Sequence, residues 1–350
     1  MLLNVHITPR ALVETTQSEA RFNAPALRRD LVELLLRHGV MRFTSSDEAG
    51  RWIDSLGLPD LTPAEKKEWQ QLLLSLKKQG RLSASTPPLI TDAEVASTLA
   101  EIEGLTKGAP MLSVLGEATY RRLFPDATSG HAVPYPGLEI TVPGSVADSQ
   151  LYQGLRDLVD TGRLPEGTPR SEVWNSLFGP LASVSKEITI FDKYLLSRLF
   201  ETGDEHVTWM LKNLNEVAPE GAGVVLIAAR GTEGQYGAER IPSDAREAER
   251  LLREYLPDTW GRLGSVQVVF AESTRARHMH HDRHIRFSAG AAIEVPAGFD
   301  RLDQPRLRDS FGFTYRWSPA ALAELESREQ EVKRARGTHI VRLKAGSRPS

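Results

Sequence analysis

Apolar residues recur along the chain at two periods, and those periods mark out most of its elements. Leu2 to Ile7 is an apolar stretch ending at Thr8-Pro9, where a helix does not easily continue, and it predicts a short strand. Leu27, Leu31, Val32, Leu34 and Leu35 form a helical stripe over Ala26–His38, with Gly39 as its stop. Ser46-Asp47-Glu48 opens a second helix through Trp52 and Leu56. Thr62-Pro63-Ala64-Glu65 starts a third: a capping hydroxyl, a proline in the first turn and a glutamate three residues on. That helix carries Trp69, Leu72, Leu73 and Leu76 and finishes at Gly80.

Thr86-Pro87-Pro88 reads as a linker, and Asp92 to Glu103 as a helix beyond it. A buried strand is expected over 110–116, then a short helix ending near Phe124-Pro125 and a strand over Leu138–Val142. From Thr168 the alternation becomes regular. Ser171 begins a helix with Val173, Trp174, Leu177 and Phe178, and Glu187–Phe191 alternates as a strand. Helices are expected from Leu195 and over Glu205–Val217. The unbroken apolar run Gly223–Ala229 fits a strand covered on both faces. Ser243 caps a charged helix through Leu251, Leu252 and Leu256, and Ser265–Phe270 is the next strand. Short strands near 285–288, 291–295 and 312–317 precede a last helix opened by Ser318-Pro319.

The pattern predicts an α/β protein in four parts. Residues 1–86 read as a mostly helical N-terminal domain and 87–167 as a small α/β linker domain. Residues 168–336 read as a β/α array with a sheet between helices, and 337–350 as a flexible tail. A length of 350 residues with 40% hydrophobic residues supports sizeable cores. The net charge of −3 argues against a chain that coats nucleic acid over its whole surface, so any anionic partner must meet a local patch. With no cysteine, thiol catalysis, disulfides and thiolate metal sites are excluded. No apolar run reaches the roughly 20 residues of a membrane span, and a cytoplasmic protein is the expectation.

The chemistry concentrates in Arg275-Ala-Arg277-His278-Met279-His280-His281-Asp282-Arg283-His284-Ile285-Arg286. Four histidines and four arginines face one carboxylate within these twelve residues. Guanidinium and imidazole both donate to phosphate oxygens, and imidazole can also act as a nucleophile or carry protons. The segment points to a phosphate or phosphodiester ligand.

Ile188-Thr-Ile-Phe-Asp192-Lys193-Tyr194-Leu195, followed later by His281-Asp282-Arg283-His284-Ile285-Arg286-Phe287 and then Pro296-Ala297-Gly298-Phe299-Asp300, resembles the phospholipase-D-like domain at the C-terminus of MIT-domain proteins. That family has an Asp-Pro-Tyr strand, a His-Asp-Arg-Glu-Ile-Arg-Phe stretch and a Gly-x-Gly-Leu-Asp turn. The resemblance covers about residues 170–320 and rests on the order and spacing of the three motifs. It implies a phospholipase-D-like sheet flanked by helices. Prokaryotic relatives with similar His-x-Arg segments commonly sit in defence-type gene neighbourhoods.

The resemblance also implies roles. The catalytic signature of the superfamily is His-x-Lys, four residues, then Asp; two such histidines cooperate, and no metal or other cofactor takes part. Aligned on it, His281 stands at the nucleophile, Arg283 at the lysine and Ser288 at the acid. Arginine still clamps phosphate, but the acid is missing and the chain holds one copy, so hydrolysis requires a homodimer that brings two His281 together. The eukaryotic relatives resemble degenerate members that bind phosphoinositides. The expectation is therefore phosphodiester or nucleic-acid recognition by His281, Arg283, His284, Arg286 and Arg277, with Asp192, Tyr194 and Asp300 opposite. An active dimeric nuclease with a phosphohistidine intermediate and an adaptor for protein or lipid headgroup are the alternatives.

Plainer readings stand beside these. The His/Arg segment could pack against a neighbouring domain, Asp192 could cap a helix and Asp300 could shape a turn. His278 and His280 lack a third ligand for zinc. Gly231–Gly237 lacks the Gly-Lys-Ser/Thr ending of a P-loop. The helices with Trp52 and Trp69 mix Lys66, Lys67, Lys77, Lys78 and Arg81 with Glu65 and Glu68, which fits a solvated or protein-docking face better than a DNA reader.

Overall fold

A computed structural model describes residues 1–17, 24–57, 61–84, 111–126, 132–135, 137–196, 199–200, 205–230, 244–256, 260–272, 279 and 283–344. The chain is mixed α/β. It divides into two compact units, Met1–Asp160 and Thr161–Ser350.

In the first unit the expected strand is β1 (Leu3–Ile7), followed by α1 (Pro9–Gln17) and α2 (Ala24–Arg37). Gly39 ends α2 and at once begins β2 (Gly39–Phe43); a Cβ there would meet the Leu35 Cα at 2.8 Å, so the close helix-to-strand turn needs glycine. Then come α3 (Ser46–Ser55), α4 (Pro63–Lys78), β3 (Leu82–Ala84), β4 (Met111–Val114), α5 (Glu117–Leu123), β5 (Val133–Tyr135), β6 (Leu138–Thr141) and α6 (Gln150–Thr161). The α4 start is as the sequence predicts: Thr62 and Glu65 form a reciprocal capping box with proline in the first turn. Ser45, one residue before the expected start, caps α3.

The sheet corrects the expected domain layout. Its order is β3-β2-β1-β4-β6-β5, parallel except for the β5–β6 pair. Strands from residues 1–86 and from residues 87–167 therefore share one sheet around β1, so neither a mostly helical 1–86 domain nor a separate linker domain stands alone. The strands have three to five residues, too few for a periodic signal, and their pairing is non-local. Trp52, Trp69, Leu31, Leu35 and Leu76 pack with Leu3, Val5 and Ile7 in the core. The linker at 86–88, the helix at 92–103 and the glycine-rich 231–237 segment lie outside the described residues.

The second unit opens with β7 (Arg163–Leu164), α7 (Arg170–Val173), a π-helical turn (Trp174–Phe178) and α8 (Gly179–Ala182). The predicted β/α alternation follows as β8 (Glu187–Phe191), α9 (Glu205–Val217), β9 (Ala222–Arg230), α10 (Ala245–Tyr255) and β10 (Leu263–Glu272). Asp244 caps α10, accepting from the N–H groups of Arg246 and Glu247. Next are β11 (His284–Phe287), β12 (Ala291–Glu294), β13 (Phe311–Gly312), β14 (Thr314–Arg316), α11 (Pro319–Arg334) and β15 (His339–Lys344).

The main sheet runs β14-β12-β11-β8-β9-β10-β15; β8, β9 and β10 are parallel and the other pairs antiparallel. A small second sheet pairs β7 with β13. The expected tail is corrected as well. His339–Lys344 pairs along β10, with Val341 and Leu343 buried, because the exposed edge of β10 offers unpaired backbone groups that an alternating segment can satisfy.

Candidate functional site

The site grows from the end of β8. Ile188 and Ile190 bury one face of the strand, and beyond Phe191 the backbone still follows β9, Asp192 N donating to Ile227 O at 3.1 Å and Ala229 N to Lys193 O at 3.1 Å. Asp192, 3% exposed, folds its carboxylate back on its own chain, where Oδ1 accepts from Tyr194 N at 2.9 Å. This is the local turn that a short carboxylate side chain makes readily. Lys193 Nζ sits 5.3 Å from the centroid of the Tyr194 ring.

Arg283 arrives from the residue before β11. Its carbonyl accepts from Val295 N at 2.7 Å, its Nε lies 3.5 Å from Asp192 Oδ1, its Nη1 donates to Pro296 O at 3.3 Å, and the guanidinium lies 5.6 Å from the Tyr194 ring centroid. The third segment closes the group. Gly298 has φ +92° and ψ 164°, and a Cβ on it would lie 2.6 Å from both Arg283 Nη1 and Asp300 Oδ1. Phe299 anchors the turn in the core, 6.3 Å from Phe178 between ring centroids, and its N–H also reaches Asp192. Burial pushes the Asp192 carboxyl above the usual carboxylate range. Arg283 and the N–H groups of Tyr194 and Phe299 oppose this, and Asp300 adds to the upward push.

Asp192, Tyr194, Arg283 and Asp300 thus come together from three separated segments. His284 and Arg286 go elsewhere. Strand alternation turns them to the sheet face opposite Ile285 and Phe287. His284 is fully buried, stacks on Phe191 with ring centroids 5.0 Å apart, and meets Glu329 Oε1 through Nε2 at 3.0 Å. Arg286 forks onto the same carboxylate, Nε to Oε1 at 2.8 Å and Nη2 to Oε2 at 2.7 Å. Burial raises the Glu329 pKa, but hydrogen bonds from Arg286 and His284 and their charge outweigh it and hold the group down at about 2.

Glu329 carries only a weak signal in the sequence. It stands with Leu325 and Val332 on the buried stripe of α11, a carboxylate at core spacing. Ser288, at the position of the motif acid, accepts from the N–H groups of Lys186 and Glu187 and so fixes the entry to β8. His281 and Arg277, with His278 and His280, lie outside the described residues, while Met279 between them is buried against Phe191, Ile227 and Val332. Among the described residues no group of three or more His, Asp or Glu side chains could hold a metal ion, and no helix is long and apolar enough to cross a membrane.

The first unit holds another buried polar group. His6 bridges Ser113 Oγ (Nδ1, 3.0 Å) and Glu48 Oε1 (Nε2, 2.8 Å), and Glu48 Oε2 accepts from Thr44 N and Oγ1. All four residues are buried, so this network ties β1, β4 and α3 together without reaching solvent. Compared with known proteins, the sequence matches no family model and no curated protein.

Proposed function

We propose that the second unit is a phospholipase-D-like module that recognises a phosphodiester in nucleic acid without hydrolysing it, as the recognition part of a bacterial defence or stress assembly. The observation that carries this reading is the meeting of Asp192–Tyr194, Arg283 and Gly298–Asp300 at one end of the sheet. These are the three segments on which the resemblance rests, and their meeting supports the reading. Arg283 is the donor for phosphate, with Asp192 and the Pro296 carbonyl orienting its fork. The absence of turnover follows from Ser288, a neutral residue occupied with backbone N–H groups where the motif expects an acid.

The test is fluorescence anisotropy with a labelled single-stranded oligonucleotide over a range of salt concentrations. Binding should weaken as salt rises, and Arg283→Ala should weaken it by about tenfold or more, the worth of a charge-assisted hydrogen bond. An affinity unchanged by Arg283→Ala refutes the assignment. Cleavage that persists in EDTA and disappears in His281→Ala would replace it with the active nuclease.

A further inference from the structure

The helix α11 is a strap. It leaves β14 at one edge of the seven-stranded sheet and delivers the chain to β15 at the other. Its 16 residues rise about 24 Å, close to the roughly 29 Å spanned by six interstrand spacings. Across that distance its buried residues are Leu325, Glu329 and Val332. An apolar residue at the Glu329 position would bury its area without the cost of desolvating a charge.

The partners of that carboxylate explain the choice. Arg286 presents two parallel N–H groups and His284 a third donor, all aimed at one pair of oxygens. With Glu329 ionised at neutral pH and able only to accept, His284 donates through Nε2. An arginine fork with an adjacent imidazole N–H is a donor set suited to carboxylate and phosphate alike. The His284 and Glu329 side chains are closed to solvent, while that of Arg286 remains 20% exposed, so the open edge of the group lies at the guanidinium. Among the described residues His284 Nδ1 is buried and has no hydrogen-bond partner, so there Glu329 holds the ring from one side only.

We infer that His284 and Arg286 form a second oxyanion site, fitted to a phosphate-type group, which the chain keeps closed by inserting Glu329 as a tethered stand-in for the ligand. A phosphate group reaching this face competes with α11 for the same three donors. The tether gives Glu329 a high effective concentration, so dilute free phosphate does not displace it from the intact chain. The site is separate from the Arg283 group, because residues 284 and 286 project to one face of β11 and neighbouring positions to the other. Nothing in this inference depends on what Arg283 binds.

The experiment is thermal unfolding of the full chain in phosphate, acetate or chloride at matched pH and ionic strength. The wild type should melt at the same temperature in all three. Glu329→Ala should melt lower, and about 20 mM phosphate or acetate should restore about 3 °C or more relative to chloride, as expected for an anion that binds the folded state alone. Removing the fork as well, in the Glu329→Ala/Arg286→Ala chain, should abolish the anion-specific gain. If Glu329→Ala does not fold, Glu329→Ser takes its place; its short side chain likewise leaves the Arg286 and His284 donors open. No anion-specific gain in the single variant that folds, or an equal gain in its double variant with Arg286→Ala, overturns the inference.

Discussion

A single methyl group at Gly298 separates backbone strain from site geometry. The residue sits at φ +92° and ψ 164°, a region that side chains other than glycine hardly enter. Alanine there costs about 1–3 kcal/mol in strain. The added Cβ would also stand 2.6 Å from Arg283 Nη1 and Asp300 Oδ1. Both are tips of flexible side chains, so they can retreat without moving the backbone, and the retreat takes Arg283 away from Asp192 and the Pro296 carbonyl. Gly167→Ala is the control: φ is +80° with nothing within 4 Å of the new methyl, so it carries strain without a contact. Urea unfolding should show both variants less stable than wild type by about 1–3 kcal/mol, with the slope unchanged. Oligonucleotide anisotropy should show about tenfold weaker binding for Gly298→Ala, roughly 1.4 kcal/mol, and wild-type binding for Gly167→Ala. Wild-type affinity in Gly298→Ala would refute the placement of the ligand at Arg283, and wild-type stability would refute the backbone argument.

Other consequences follow from the same contacts. Glu329 has a folded pKa lowered from 4.5 to about 2, so its contribution is fully present above about pH 4.5 and is lost as pH falls toward 2. The loss amounts to about 3 kcal/mol, and urea titrations should show the wild type converging on Glu329→Gln across that window; a constant gap between them would contradict the assignment. Arg81, 1% exposed, donates to the carbonyls of Gly39 (2.8 Å), Leu36 (2.9 Å) and Leu35 at the end of α2. Arg81→Ala should cost about 2–4 kcal/mol by leaving helix-end carbonyls unpaired, and Arg81→Lys should recover less than half in the same denaturation assay. Thr62→Ala removes the hydroxyl of the α4 capping box and should cost about 1 kcal/mol; a change below a few tenths would show that the box adds nothing to packing at Trp69.

The legible parts of the fold are those with a strong local pattern. The apolar run at Gly223–Ala229 and the alternation at Glu187–Phe191 became neighbouring parallel strands β9 and β8, and the Thr62–Glu65 signature became a real cap. Of the candidate site, the sequence shows the segments but not how they combine. Asp192, Tyr194, Arg283 and Asp300 each lie at a strand end or a tight turn that local pattern marks out, but they meet only because β11 pairs with β8, His284 opposite Phe191. The sequence places His284 and Arg286 in the same motif as Arg283, yet alternation along β11 carries them to α11. The residue that meets them, Glu329, is 43 positions away from Arg286, beyond the reach of any local pattern.

The sequence by itself determined the chemistry available to this protein: no thiols, and one dense block of imidazole and guanidinium opposed by a single carboxylate. Periodicity also set the longer helices and the central strands of the second unit, because burying one face is a local requirement. Tertiary structure decided how those pieces combine. It joined both halves of the first 160 residues in one sheet, turned the expected tail into β15, and gave two of the predicted phosphate donors to a carboxylate on α11. The reason is common to all three. Strand edges and buried charges must find partners, and which partner lies within reach depends on how the layers pack, a relation between distant residues that no local pattern records.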